Sequence, residues 1–229
     1  MKLMKTLKGF AVEILVILVL LFVQANCDLS LPQYTSNIVN VGIQQGGIED
    51  AAADTLQEET MEKLFLFMDE GEQTLVKSCY TLEDGIWTRK NLSSKEKDEL
   101  IGVLEKPMLA VYVLSSEETA SQLASQMGLP EGTDLFQVFS GMPKEQFAKV
   151  KEALYEKTAD YPDTMLAQAA VAFVKADYEA QGVDMDALQT RYLIGAGFKM
   201  LGFALVIMLA SVCVTFLSCR VAAGMSRKL

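Results

Sequence analysis

From Met200 to Cys219 the chain carries no charged residue, and Arg220 follows at once. A helix of that length rises about 30 Å, the thickness of a hydrocarbon core. A second apolar segment lies near the other end, from Phe10 to about Ala25, unbroken from Ile14 to Val23. It spans a bilayer comfortably only if it continues through Asn26 and Cys27 towards Leu31. Pro32, with no N–H to donate, is expected to end or kink it there. The reading is a mostly α protein: two transmembrane helices, residues 9–31 and 193–219, flank a helical extracellular domain over 32–192.

The basic residues set the expected orientation. Lys2, Lys5 and Lys8 precede the first segment, and Arg220, Arg227 and Lys228 follow the second. Lys and Arg flanks stay in the cytoplasm. Residues 1–8 and 220–229 are then inside, in a multi-pass plasma-membrane topology. The formal net charge is −10. Residues 1–26 and 193–229 hold seven Lys/Arg against Glu13, so the middle carries the whole acidic excess. Such a surface repels nucleic acid and anionic headgroups.

The first segment also fits a secretory signal peptide, with Val23-Gln24-Ala25 as a small-x-small cleavage site. Glu13 inside the apolar core counts against that, and a retained span is the expectation. A lipoprotein site at Cys27 is disfavoured because Gln24 and Asn26 stand where small residues are wanted.

The middle segment is long enough for one modest domain. Gly46-Gly47 break the chain, and Ile48 to Lys77 is rich in good helix formers. Within it Met61, Leu64, Phe65 and Met68 form one helical stripe. Ser93 or Ser94 caps a helix at Lys95–Leu104, with Glu96 near the capping-box offset. Pro107 starts a run through Leu114 that reads as helix or buried strand. Ser115-Ser116-Glu117-Glu118 cap a helix to about Met127, Pro143 opens another, and Asp163 opens a long one through Gln181. Asp184 to Arg191 leads directly into the second span. The apolar stripes and their methionines read as core packing.

Much chemistry is missing. The chain has no histidine, the commonest general base and metal ligand. Its four cysteines, Cys27, Cys79, Cys213 and Cys219, form no CxxC, so zinc-site spacing is lacking. Cys27 and Cys79 share the outer side and could pair, although the expectation is against it. Asn91-Leu92-Ser93 matches a glycosylation acceptor. Adjacent carboxylates recur at Glu49-Asp50, Glu58-Glu59, Asp69-Glu70, Glu83-Asp84, Asp98-Glu99 and Glu117-Glu118, a pattern that solvated faces produce far more often than catalytic pairs do. No GxxxxGK[ST] phosphate loop occurs. No catalytic, cofactor-binding or metal-ligating residue is expected in this chain.

Polar groups inside spans are costly and often functional. Glu13, Gln24 and Lys199 are therefore the candidates for transport or packing roles. Glu13 and Lys199 sit near opposite ends of an antiparallel pair, with an expected depth difference of roughly 15 Å, so the two are not expected to pair.

Two stretches carry a resemblance. Leu31-Pro32 leads to Ile38-Val39-Asn40-Val41-Gly42-Ile43 and then Gln44-Gln45-Gly46-Gly47-Ile48. This resembles the outer end of the first transmembrane helix of ATP-binding cassette (ABC) exporters. Leu217-Ser218-Cys219-Arg220-Val221-Ala222-Ala223-Gly224-Met225-Ser226-Arg227-Lys228-Leu229 is similar to the cytoplasmic exit of the second helix in that family. There an Arg-Val-(Ala/Gly)-Ala-x-x-x-Arg-(Asp/Lys)-Leu pattern precedes the first coupling helix. The resemblance covers both apolar segments and implies that Arg220, Arg227 and Lys228 lead toward a coupling helix. It implies ATP-driven export, with ATP and magnesium, for a complete transporter assembled as a homo- or heterodimer.

The departures are the enlarged outer loop, the missing remaining helices and the missing nucleotide-binding domain. The chain is accordingly expected to be a truncated product or one piece of a split transporter. Its partners would be the lipid bilayer, the remaining helices and nucleotide-binding domains, and no nucleic acid. Peptides, lipids and drugs all suit such a fold as substrate. The alternative is a membrane-anchored extracellular binding protein with a cleaved signal peptide. An ectoenzyme is disfavoured by the lack of histidine and of a nucleophile motif.

Overall fold

Two helices long and apolar enough to cross a membrane bracket a mixed but mostly helical middle in the computed structural model. The structure describes residues 10–130, 132–158 and 161–227. Lys2, Lys5, Lys8 and Lys228 lie outside the described residues. The described residues form two compact units, one up to Gly47 and from Gln189 onward, the other Ile48–Leu188.

The Ile48–Leu188 unit begins where a single helix was expected. Ala51, Ala52 and Ala53 are buried without regular structure. Strand β1 (Thr55–Gln57) then precedes helices α2 (Glu58–Leu66) and α3 (Glu70–Cys79). The break between the helices is a capping box. Asp69 accepts from Glu72 N and Glu72 accepts from Asp69 N, each at 2.8 Å. Strands β2 (Tyr80–Glu83) and β3 (Ile86–Arg89) follow as a hairpin, and the antiparallel sheet runs β1-β3-β2. Asp84 and Gly85 turn it, with φ of 49° and 77°. Two consecutive positive φ values make the type I′ turn that matches strand twist. Leu56, Trp87 and Leu82 stand in register across one face of the sheet.

Five helices complete the unit: α4 (Ser94–Ser115), α5 (Glu117–Gln126), α6 (Leu135–Gly141), α7 (Lys144–Thr158) and α8 (Asp163–Gln181). Ser93 caps α4 in a reciprocal box with Glu96, as its spacing predicts. The helix does not stop at Pro107 but carries it inside. The missing N–H costs roughly 3 kcal/mol. Burial of Pro107, Met108, Leu109, Ala110 and Val111 in succession offsets that loss. Leu100, Leu104, Met108 and Val111 share one core with Ala170, Val171 and Val174 of α8. Phe67, Phe139 and Phe147 close it with edge and tilted ring contacts at 5.5 and 5.6 Å.

Glu105 is the strained member of this surface. Burial pushes its carboxyl above the ordinary range, and Asp163 and Asp50 add repulsion. The folded state therefore holds this proton more tightly than the unfolded chain. Below the ordinary carboxylate pKa the group costs no stability; the cost appears as pH rises through the folded value. Glu105→Gln is expected to raise the unfolding free energy at pH 7 by about a few tenths of a kcal/mol, solvent screening the rest, and to change nothing at pH 4. Fluorescence melts of Trp87, the chain's single tryptophan, check this.

Candidate membrane-spanning helix pair

Helix α1 (Ala11–Asn37) continues into a seven-residue π-helix, Ile38–Gln44. Pro32 does not end α1, one of the two outcomes its sequence position allows; the helix carries it inside. Side-chain hydroxyls on either side of it are bonded back into the helix. Ser30 Oγ donates to Asn26 O at 2.8 Å, and Thr35 Oγ1 to Leu31 O at 3.1 Å. Such local bonding is how helices in lipid keep polar groups satisfied. Helix α9 (Met185–Ser226) starts directly after Asp184, which accepts from Ala187 N at 2.9 Å, and runs unbroken into the second apolar segment, as the sequence reading has it.

The two helices run antiparallel within their unit. A Cβ on Gly224 would overlap the Phe10 ring. Tyr34 and Phe203 meet with ring centroids 5.2 Å apart. Gly42 lies under Leu193, where an added Cβ would come within 2.5 Å of the leucine methyl. Gln189 Nε2 donates to Gly42 O at 2.8 Å. The less exposed positions of α1 recur in steps of three and four: Glu13, Ile17, Leu20, Gln24, Cys27, Leu31, Tyr34. On α9 they are Leu193, Ala196, Met200, Phe203, Ile207, Ala210, Val214, Leu217. A strict 3–4 spacing is the pattern of left-handed helix packing.

This register places the candidate residues. Glu13 and Gln24 both lie on the inner stripe, half-buried, whereas Lys199 is exposed. Glu13 falls opposite Val221 and Ala222, and Lys199 opposite Asn37. They are therefore roughly 35 Å apart along the pair, not 15 Å, because the helices overlap by their full lengths. Arg220 lies on the last turns of α9 and Arg227 just past its end, and both are exposed.

The same register exposes a mismatch. Residues Ala210–Cys219 lie beside the apolar part of α1, about Ile17–Asn26. The other half of the charge-free run, Met200–Leu209, lies beside Cys27–Ser36, which contains Asp28, Ser30, Gln33, Thr35 and Ser36. On one face of this stretch Asn26, Ser30, Gln33, Asn37 and Asn40 recur at the 4-3-4-3 spacing. An exposed apolar α9 surface, with Leu201, Leu205, Met208 and Leu209 each about half exposed, is thus level with a polar α1 surface.

The resemblance motif Ile38–Ile43 coincides with the π-helix and its contact on α9. π-Turns are rare and recur at functional sites. Sequence reading quoted these residues but missed their conformation, for which no composition signal exists.

The middle unit offers no comparable chemistry. Glu49 and Asp50 hold Lys97, at 3.5 and 2.7 Å. Glu58-Glu59 and Glu117-Glu118 occupy first helical turns, and Asp69-Glu70 a cap, where free N–H groups favour carboxylates. Glu83-Asp84 belongs to the hairpin turn. Among the described residues no three His, Cys, Asp or Glu side chains converge as a metal site. Cys27 and Cys79 are both buried free thiols, and Cys213 and Cys219 are exposed and free.

Asp177 was not anticipated. It is 5% exposed, the one buried charged residue among those described. It accepts from Thr60 Oγ1 and Gln181 Nε2, both at 2.6 Å, and from Gln57 N at 3.3 Å. Tyr178 Oη accepts from Asp54 N at 2.8 Å, and Thr55 Oγ1 donates to Gln181 Oε1. Helix α8 thereby closes the free edge of β1 with side-chain acceptors, a structural role.

Comparison with protein families, with curated proteins and with solved structures finds no match.

Proposed function

We infer that the chain is a membrane-spanning piece of an ABC-type exporter permease: its first helix pair and an enlarged outer domain. The observation that carries this is the mismatch along the pair. A polar α1 surface level with a lipid-facing α9 surface satisfies neither water nor lipid, so the outer half of the pair calls for further helices. The two resemblance motifs support the particular family. One lies on the π-helix, and the other begins on the last turns of α9, with Arg220 on the helix and Arg227 just past its end. The chain contributes to ATP-driven export only with those helices and nucleotide-binding domains. ATP and magnesium belong to the partner domains, because this sequence has no phosphate loop. The topology that goes with this reading is a plasma-membrane protein with both termini cytoplasmic and the middle unit outside.

Purifying the chain in mild detergent from the membranes of its native host tests the reading. Expected is a defined complex with a polypeptide that bears further spans and a nucleotide-binding domain, and ATP hydrolysis in the eluate. A lone chain whose mature sequence starts at Asn26 would overturn it in favour of an anchored extracellular binding module.

A further inference from the structure

Asp28 is the feature that neither the sequence reading nor the exporter assignment absorbs. On the pairing register it lies opposite Met208, close to the middle of the charge-free run Met200–Cys219. It is the only charged residue on either helix at those levels, since residues 17–36 of α1 contain no other. Its side chain is exposed, and among the described residues it forms no ion pair. Lys199, the nearest cation by level, stands opposite Asn37, about 13 Å further along the pair, beyond the reach of its side chain. Gln24 lies one turn before Asp28, at the i, i+4 offset that puts two side chains on one face.

A carboxylate at that depth is costly against acyl chains, and intramembrane carboxylates as a rule face a bundle interior or a water-filled cavity and pair with a cation. We propose that Gln24 and Asp28 form an intramembrane site for a cationic group, with Asp28 as the counter-charge and the Gln24 amide as a neutral hydrogen-bonding neighbour. The ligand chemistry is a monovalent cation: an organic ammonium carried by the transported molecule, or a metal ion. This rests on reading α1 and α9 as membrane-crossing helices.

The experiment uses the full chain in host membranes, with native cysteines replaced and a single cysteine placed by Ala25→Cys, one turn from Asp28. Thiol labelling is compared for a cationic and an anionic methanethiosulfonate of similar size. The same pair of rates on a free thiol in solution supplies the reference. The cationic reagent is expected to be favoured about tenfold beyond that reference, the factor that corresponds to 1.4 kcal/mol of attraction. Asp28→Asn should remove the excess.

Protection of the cysteine by tetraphenylphosphonium would assign the site to organic cations, and protection by sodium or potassium alone to a metal ion. A reference-level ratio or indifference to Asp28→Asn would each overturn the proposal. Failure of the exporter reading is separately visible: charge selectivity persisting in a chain that purifies alone would retain the site and remove the transporter assignment.

Discussion

Replacing Asp177 by alanine should lower the unfolding midpoint of the Ile48–Leu188 unit by about 10 °C. The substitution strands Gln57 N, Thr60 Oγ1 and Gln181 Nε2, which all donate to this one carboxylate. Each donor left without a partner in this partly buried cluster costs about 1 kcal/mol, so the sum is on the order of 3 kcal/mol. A unit of this size loses roughly 3 °C per kcal/mol. Asparagine keeps one acceptor oxygen but turns an N–H group toward existing donors, so Asp177→Asn should fall between alanine and the native residue. Trp87 makes the measurement clean, because it sits on β3 against Leu56 of the strand that Asp177 secures. An alanine variant melting within 2 °C of the native protein would mean that α8 does not hold β1 in this way.

Gly42→Leu should open the outer end of the helix pair. The position has no room for a side chain, with Leu193 and Tyr192 lying over it. A leucine there forces Leu193 aside and threatens the Gln189–Gly42 hydrogen bond. Overpacking of this kind costs about 1–3 kcal/mol. The readout is cross-linking by a short bis-methanethiosulfonate, whose spacer replaces the two lost rings, between Tyr34→Cys and Phe203→Cys in an otherwise cysteine-free chain in membranes. The parent rings are 5.2 Å apart, so the reagent should bridge that pair readily, and Gly42→Leu should cut the yield about tenfold. Gly42→Ala, whose methyl meets only the movable end of Leu193, should retain most of it. Failure of the Tyr34/Phe203 pair to cross-link in the Gly42 parent would refute the register itself, and with it the depth assigned to Asp28.

Several elements were legible because their signals are local. The α4 cap is written in Ser93 and Glu96, and α8 has the bounds that Asp163 and Gly182 announce, Gly182 taking the left-handed φ of 74°. The Asp84-Gly85 hairpin was equally legible, since an Asp-Gly pair between alternating apolar residues is a strong turn signal, but the helical composition of Ile48–Lys77 drew attention away from strands. The single helix expected there is contradicted for a non-local reason. Its first turns become β1 because the backbone at Gln57 finds its acceptor on α8, in Asp177, far along the chain. No local propensity reports such a partner.

The sequence by itself determined that two long apolar helices exist and that a mostly helical unit lies between them, because helix length and hydropathy are properties of contiguous residues. It also determined which chemistries are absent, since a missing residue type needs no structure to be missed. Tertiary structure decided the register of the pair, and through it which polar residues share a level with exposed apolar ones. Register depends on where Gly42 and Gly224 let side chains of the opposite helix approach, a steric fit between residues far apart in the chain. That fit moves Glu13 to one end, Lys199 toward the other, and Asp28 to the middle.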